Sequence, residues 1–394
     1  MRRALVLALV AASATAAVHV ASASPPWTVT AEAGAEYDTN VERVDNGTLD
    51  DQNRPVDPVT AAVSRFGGRV IYRHRLLGGT FYANASALAR VVSLSEAQPV
   101  GSFADPQDAS VTTLTLDARY LHNLPDRPIS LGAAVTAADA LAICTDGCVG
   151  DRTYSNVGAD AIVALHSGDD RHLTLAVGGR DFEYKPLPEF SWSGPVANAR
   201  LDLVLSQTED HTRSIELAVT SGFEARSYND DALVIAPCMT GSPQGEVCTA
   251  PTTFTRRDRF EHIGADVTFV GRRIVTVGYQ LGFIDSNSFG QSLIRHRITA
   301  SATSELPWQL YGTLLATLQL DQYPDGLVLL NAETDQVRNL EDESRSSLQL
   351  RLARHVSDAW SIEMRAAVWR DLGDTQGDEF HRTLLSLGVV YASP

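Results

Sequence analysis

The chain has 394 residues, with 32 basic against 48 acidic side chains, a net charge of −16 and 44% hydrophobic residues. That is long and apolar enough for one large folded body, and the acidic excess argues against a general nucleic-acid binder, which must neutralise phosphates. Lys185 is the one lysine and the other 31 basic residues are arginine, a bias that a GC-rich genome explains.

In chain order, Arg2 and Arg3 precede an apolar run from Ala4 to Val20, and Ala21-Ser22-Ala23 follows as an A-x-A site. This predicts a cleaved export signal over residues 1–23 and a mature chain of 24–394. The alternative is a transmembrane anchor, which the short run and its small-residue end disfavour. No cysteine stands at the cleavage point, so lipid anchoring is not expected. Loss of the two arginines takes the net charge to −18. No second run is long enough for a membrane helix. The mature chain is then exported and soluble, surface-bound, or a membrane barrel.

The next stretch, "WTVTAEAGAEYDTNV", alternates. Trp27, Val29, Ala31, Ala33, Ala35 and Tyr37 share one parity, and Thr28, Thr30, Glu32, Gly34, Glu36 and Asp38 share the other. A period of two reads as a strand with one apolar and one polar face. About sixteen such stretches follow one another: 27–41, 58–74, 79–95, 110–122, 128–143, 153–166, 171–185, 195–208, 213–228, 255–270, 273–287, 291–304, 308–323, 343–356, 359–371 and 380–392. Even-numbered strands run into short turns such as "LLGG", "SGDDR" and "GRR". Odd-numbered strands run into longer loops such as 42–57, 96–109, 229–254 and 324–342. Segregation of loop length by parity is the pattern of a transmembrane barrel, and a sandwich has no reason for it.

The polar parity is often charged, which a packed sandwich core cannot take because buried unpaired charge is costly. The fold class is therefore all-β: a single closed antiparallel transmembrane barrel of about sixteen strands, range 14–18, with lipid outside and water inside. A soluble β-sandwich is the alternative. Aromatic residues near strand ends (Trp27, Tyr120, Tyr228, Tyr279, Trp308, Tyr323 and Trp360) fit interfacial girdles. Starting the first strand so soon after the signal leaves no room for a periplasmic arm or plug.

Parity places Arg90, Arg119, Asp160, Arg226, Asp266, Arg295, Arg297, Arg351, Glu363 and Arg365 on the lumen wall. Arginines there would concentrate anions; the plainer alternative is cross-strand ion pairing that braces the wall. Cys144 with Cys148, and Cys238 with Cys248, read as two small disulfide loops on the long-loop side. Metal ligation is the alternative, without a histidine at ligand spacing. The loop carboxylates Asp45, Asp50, Asp51 and Asp57, and Asp325, Glu333, Asp335, Glu341 and Asp342, are solvated charge or bridge divalent cations to lipopolysaccharide. Enzyme signatures are absent, and His74, His122, His166 and His211 fall at strand ends or in turns, so no convergent site, cofactor or metal is expected.

Two motifs carry a resemblance. "YDTN" at Tyr37, Asp38, Thr39 and Asn40, followed by Val41, resembles the Y-D-x-N-V run on the first strand of several large bacterial barrel families, including ones associated with exopolysaccharide export. Asp38 and Asn40 also fit a loop start by turn chemistry alone. "LLSLGVVYASP", with Leu385, Leu387, Val389 and Tyr391 on one parity, looks like the terminal aromatic signal that outer-membrane barrels present to their assembly machinery. It departs from that signal in the three residues, Ala392, Ser393 and Pro394, that follow the tyrosine.

The resemblance implies a bacterial outer-membrane barrel, porin-like or linked to exopolysaccharide export, with both termini periplasmic. The expected function is a channel for small solutes or an exported polysaccharide, the alternative a plugged structural or surface-assembly barrel that binds a partner. The implied partners are outer-membrane lipids or lipopolysaccharide, the barrel-assembly machinery and periplasmic polysaccharide-export proteins.

Overall fold

The computed structural model describes residues 26–41, 58–94, 109–143, 152–168, 170–210, 212–238, 248–324, 346–370 and 380–393. The signal segment, Cys144 and Cys148, His211 and all the loop carboxylates named above lie outside the described residues.

The alternating stretches become strands β1 (Trp27–Asp38), β2 (Ala61–Leu76), β3 (Gly79–Leu94), β4 (Val111–Asn123), β5 (Ile129–Ala142), β6 (Tyr154–His166), β7 (Arg171–Tyr184) and β8 (Trp192–Gln207). They continue as β9 (Ser214–Ile235), β10 (Thr249–Val270), β11 (Arg273–Ser286), β12 (Leu293–Leu306), β13 (Leu310–Gln322), β14 (Ser346–His355), β15 (Trp360–Arg370) and β16 (His381–Ala392). Every strand pairs with its chain neighbours, and β1 pairs antiparallel with β16, so the sheet closes as a barrel of sixteen strands. Closure leaves no strand edge unpaired.

Each expected stretch meets one strand, but β9 and β10 reach further than the pattern showed. Pairing there continues to Thr249 opposite Ile235, across register shifts near Thr255, and Cys238 is bonded to Cys248 just beyond. The bulged register breaks strict alternation, which hid the extension from the sequence.

All seven connections from an even strand to the next are short, and β1 starts and β16 ends at their end of the barrel. Two of them are two residues long, Gly271-Arg272 and Leu77-Gly78, the latter with φ of 49° and 77°. A two-residue hairpin with both φ positive matches strand twist, and Gly78 takes it without strain. Tyr120 Oη donates to the carbonyls of Leu76 and Leu77 and holds that turn. In the turn after β8, the Thr208 hydroxyl donates to Asp210, as do the backbone and hydroxyl of Thr212. These bonds, the Thr208 hydroxyl first, hold the Asp210 carboxyl below its usual range.

The apolar parity faces outward. Phe66, Val157, Val177, Ile263 and Leu387 are between 52% and 63% exposed. Trp27, Tyr72, Phe81, Tyr120, Trp360 and Tyr391 gather towards the short-turn end, with Trp360 and Tyr391 rings 5.2 Å apart. Tyr228 does not join a girdle as expected: it is 9% exposed, turned inward, and lies 4.3 Å beneath the Arg256 guanidinium. Its register partner is Trp192, also an inward residue. The small apolar clusters of buried side chains sit elsewhere inside, at the long-loop end: Val41, Val59, Ala61, Val63, Val92 and Ala109 in one, Ala367, Trp369, Phe380 and Leu384 in the other.

At the closing seam Gly34 faces Gly388. A Cβ on Gly34 would sit 2.6 Å from the Leu387 carbonyl oxygen. Backbone cannot yield there without opening the ladder, so Gly34→Val is expected to cost about 1–3 kcal/mol, read as a lower urea midpoint of the refolded barrel.

Candidate functional site

The polar parity of β1 supplies Glu32, Glu36 and Asp38; that of β2 and β3 supplies Arg65 and Arg90; that of β15 and β16 supplies Arg365 and Arg382. They meet inside the barrel. Arg382 donates to both oxygens of Asp38 at 2.9 and 2.7 Å, and Arg90 reaches over β2 to Asp38 and Glu36, each at 3.0 Å. Arg65 donates to Glu32 at 2.8 Å and to Glu36 at 3.1 Å. Asp38 is fully buried and Glu36 and Arg382 nearly so. An arginine on β3 reaches a carboxylate on β1 only because both side chains project to the inside.

The "YDTN" run is part of this seam. Asn40 N–H donates to Asp38 Oδ1, the turn chemistry expected of the loop start. Thr39 Oγ1 accepts from Thr383 N–H, and Asn40 Nδ2 donates to the His381 carbonyl. The motif thus ties the first strand to the last.

Two cavities lie against this wall. The smaller, of about 310 Å³, is bounded by Glu32, Arg351, Glu363 and Ser386 among others. The larger, of about 560 Å³, is bounded by Arg90, Arg297, Trp369 and Arg382 and by the hydroxyls of Thr299, Ser301, Thr317 and Ser347. Arg65, Leu315, Gln349 and Arg365 line both, and this shared stretch of wall is called the waist. Polar-parity side chains from β1–β3 and β11–β16 bound these cavities.

The sequence-derived lumen residues divide into several groups. Asp160 takes two bonds from Arg180 at 2.8 Å, Arg295 gives Asp321 bonds of 2.9 and 2.8 Å, and Arg351 is paired with Glu363. For these the bracing alternative holds. Arg226 pairs with Glu224 and is layered between the rings of Trp192 and Phe260, 4.3 and 3.9 Å from their centres. Trp192 in turn stacks on Phe182, so β7–β10 carry a packed aromatic buttress on the inner wall. Asp266 lies across Gly278, and Arg119 is exposed on β4. Arg90, Arg297 and Arg365 line the cavities. Arg65, Arg382, Glu32, Glu36 and Asp38 are the members that sequence reasoning did not select. Their polar parity was the available signal, but not their contact.

One histidine, His166, has a partner that the sequence reading did not name. His166 and His172 do converge, Nδ1 to Nδ1 at 2.8 Å, and Ser130 Oγ lies 3.2 Å from His166 Nε2 and 2.7 Å from Asn123 Oδ1. The short hairpin between β6 and β7 brings the pair together. Ser130 is 2% exposed and lines neither cavity, so the chain of bonds fastens the short-turn end of β4–β7. His122 Nδ1 is bonded to the Leu77 carbonyl. Among the described residues no group of three potential metal ligands is assembled.

No protein-family model matches the chain, and no curated protein matches it. Solved structures that it resembles include one titled "Bacterial polysaccharide outer membrane secretin", with 8% identity, 94% of this chain and 100% of that chain covered, and a TM-score of 0.44. Another is Acinetobacter baumannii OccAB1, with 10% identity, 93% and 96% covered, and a TM-score of 0.44. A Rh. blastica porin mutant matches at 10% identity over 93% and 99%, with a TM-score of 0.38. What the chain shares with them is the closed antiparallel barrel.

Proposed function

We propose that the chain is a bacterial outer-membrane channel that passes hydrophilic solutes, with a preference for anions, and does no chemistry of its own. The observation that carries this is the inverted barrel: apolar side chains exposed outside, and a charged, hydroxylated interior enclosing cavities. Water solvates such an interior, and lipid suits such an exterior. The short-turn end, with both termini, is assigned to the periplasm by the usual asymmetry of these barrels. An exported acidic polysaccharide is the extended form of the same cargo. Lipopolysaccharide, the barrel-assembly machinery and periplasmic export proteins are the partners this reading calls for.

The test is single-channel conductance of the mature chain in planar bilayers, with the reversal potential under a salt gradient. Discrete steps with anion preference are expected. The geometry changes which arginines matter. Arg295 and Arg351 each hold a carboxylate, so their neutralisation would leave acid behind. Arg365→Gln, at a guanidinium bonded to an amide and not to a carboxylate, is the substitution expected to bring the permeability ratio towards unity. Insertion without conductance would shift the reading to a structural barrel, with the aromatic buttress of β7–β10 as part of its plug.

A further inference from the structure

Around the two cavities stand six guanidinium groups, Arg65, Arg90, Arg297, Arg351, Arg365 and Arg382, against four carboxylates, Glu32, Glu36, Asp38 and Glu363. The carboxylates pair with Arg65, Arg90, Arg351 and Arg382. Arg365 has a different partner: its Nη2 donates to the amide oxygen of Gln349 at 2.7 Å, and among the described residues no carboxylate lies within ion-pair distance of it. Gln349 and Arg365 bound both cavities, so this guanidinium is open to a ligand in either.

Like charges gathered away from bulk water repel, and the arrangement is eased by one more anion. Of the protein's donors, the guanidinium is the one whose planar fork matches a carboxylate or phosphate in two parallel bonds. The wall formed by β12–β14 carries one guanidinium, Arg297, among neutral polar groups. Thr299, Ser301, Thr317 and Ser347 present hydroxyls to the larger cavity, and Gln349 presents an amide. A wall of hydroxyls suits a ligand rich in hydroxyls itself, since each can donate or accept. Trp369 closes the same cavity, 5.9 Å from the Arg365 guanidinium carbon. The volume of about 560 Å³ is within the range of small-molecule sites.

We infer that the waist is a discrete binding site for an acidic sugar: its oxyanion is held by Arg365 in place of Gln349, and its hydroxyls face β12–β14. This rests on the channel reading for its purpose, but not for its detection. A free solute and a chain both supply such an anionic sugar unit, and both are tested.

The experiment is equilibrium binding to the full folded barrel in detergent, followed by tryptophan fluorescence, with D-glucuronate, a short oligogalacturonide, D-glucose and acetate as separate titrants. A Trp369→Phe variant assigns the signal. Saturable binding of glucuronate, at least about tenfold tighter than glucose or acetate, is expected, because a lost charge-assisted pair is worth about a factor of ten or more. Arg365→Gln is expected to weaken it by the same factor. Arg365→Lys, which keeps the charge and loses the fork, should fall between. Arg119→Gln, which removes an equal charge away from both cavities, should bind within about twofold, as a residue without contact to the ligand does. Tighter binding of the oligogalacturonide than of glucuronate would assign the site to a polymer, and equal binding to a free solute; both support the site. Absence of saturable glucuronate binding, or equal binding by Arg365→Gln, overturns it. A barrel that binds glucuronate but shows no bilayer conductance keeps the site and loses the channel.

Discussion

Asp38→Asn is expected to destabilise the barrel by about 3–5 kcal/mol, the usual cost of removing one partner of a buried ion pair. Asp38 is fully buried, and Arg382, which donates to both its oxygens, is 3% exposed. The asparagine keeps the shape and one acceptor, and removes the charge. Arg90 is buffered because it also holds Glu36, whereas Arg382 loses the doubly bonded carboxylate that faces it. The pair also joins β1 to β16, the contact that closes the sheet, so loss of it acts on the whole cooperative unit. The measurement is the urea midpoint of the refolded barrel, with the heat-dependent shift in gel mobility as a second readout of closure. A combined Asp38→Leu, Arg382→Leu variant should recover much of the loss, because a well-packed apolar pair often equals a buried ion pair. Should Asp38→Asn unfold at the unaltered midpoint, the seam network contributes nothing and the barrel is held by its ladder alone.

That pair also shows where reading the sequence stops. The strand count, the alternation and the separation of short turns from long loops were all legible, because each is a local property of the chain. The parity of Asp38 was legible too. Its partners were not: Arg90 is 52 residues away and Arg382 is 344 away. Which charges meet on an inner wall depends on the register of every intervening strand. Arg295 and Arg351 show the same limit from the other side. Both are inward, as their parity required, yet each is matched by a carboxylate on the next strand. The local excess of arginine is real in sequence and largely cancelled in space. Arg365 is bonded to the Gln349 amide and, among the described residues, to no carboxylate, and nothing in its sequence neighbourhood distinguishes it from Arg351, its partner on the next strand. Tyr228 was misplaced for a related reason: strand-end aromatics look alike in sequence whether they face lipid or lumen.

The outer face gives the second large effect. Val177 stands midway along β7 and is 63% exposed. In a barrel folded into phosphatidylcholine vesicles, Val177→Arg is expected to lower stability by about 2–4 kcal/mol, the cost of arginine near the bilayer midplane. Leu387→Arg, on β16 and 60% exposed, should behave alike. Asp117→Arg places the same side chain on an exposed interior position and is expected to stay within about 0.5 kcal/mol, as surface substitutions in water do. Urea titration in the vesicles measures all three. The contrast separates the two solvents directly. In a water-soluble barrel or sandwich an exposed valine gains from replacement by a charged residue, so Val177→Arg would be neutral or favourable. A chain whose outer substitutions are tolerated and whose inner ones are costly would have its apolar face against protein, and the membrane assignment would fall with it.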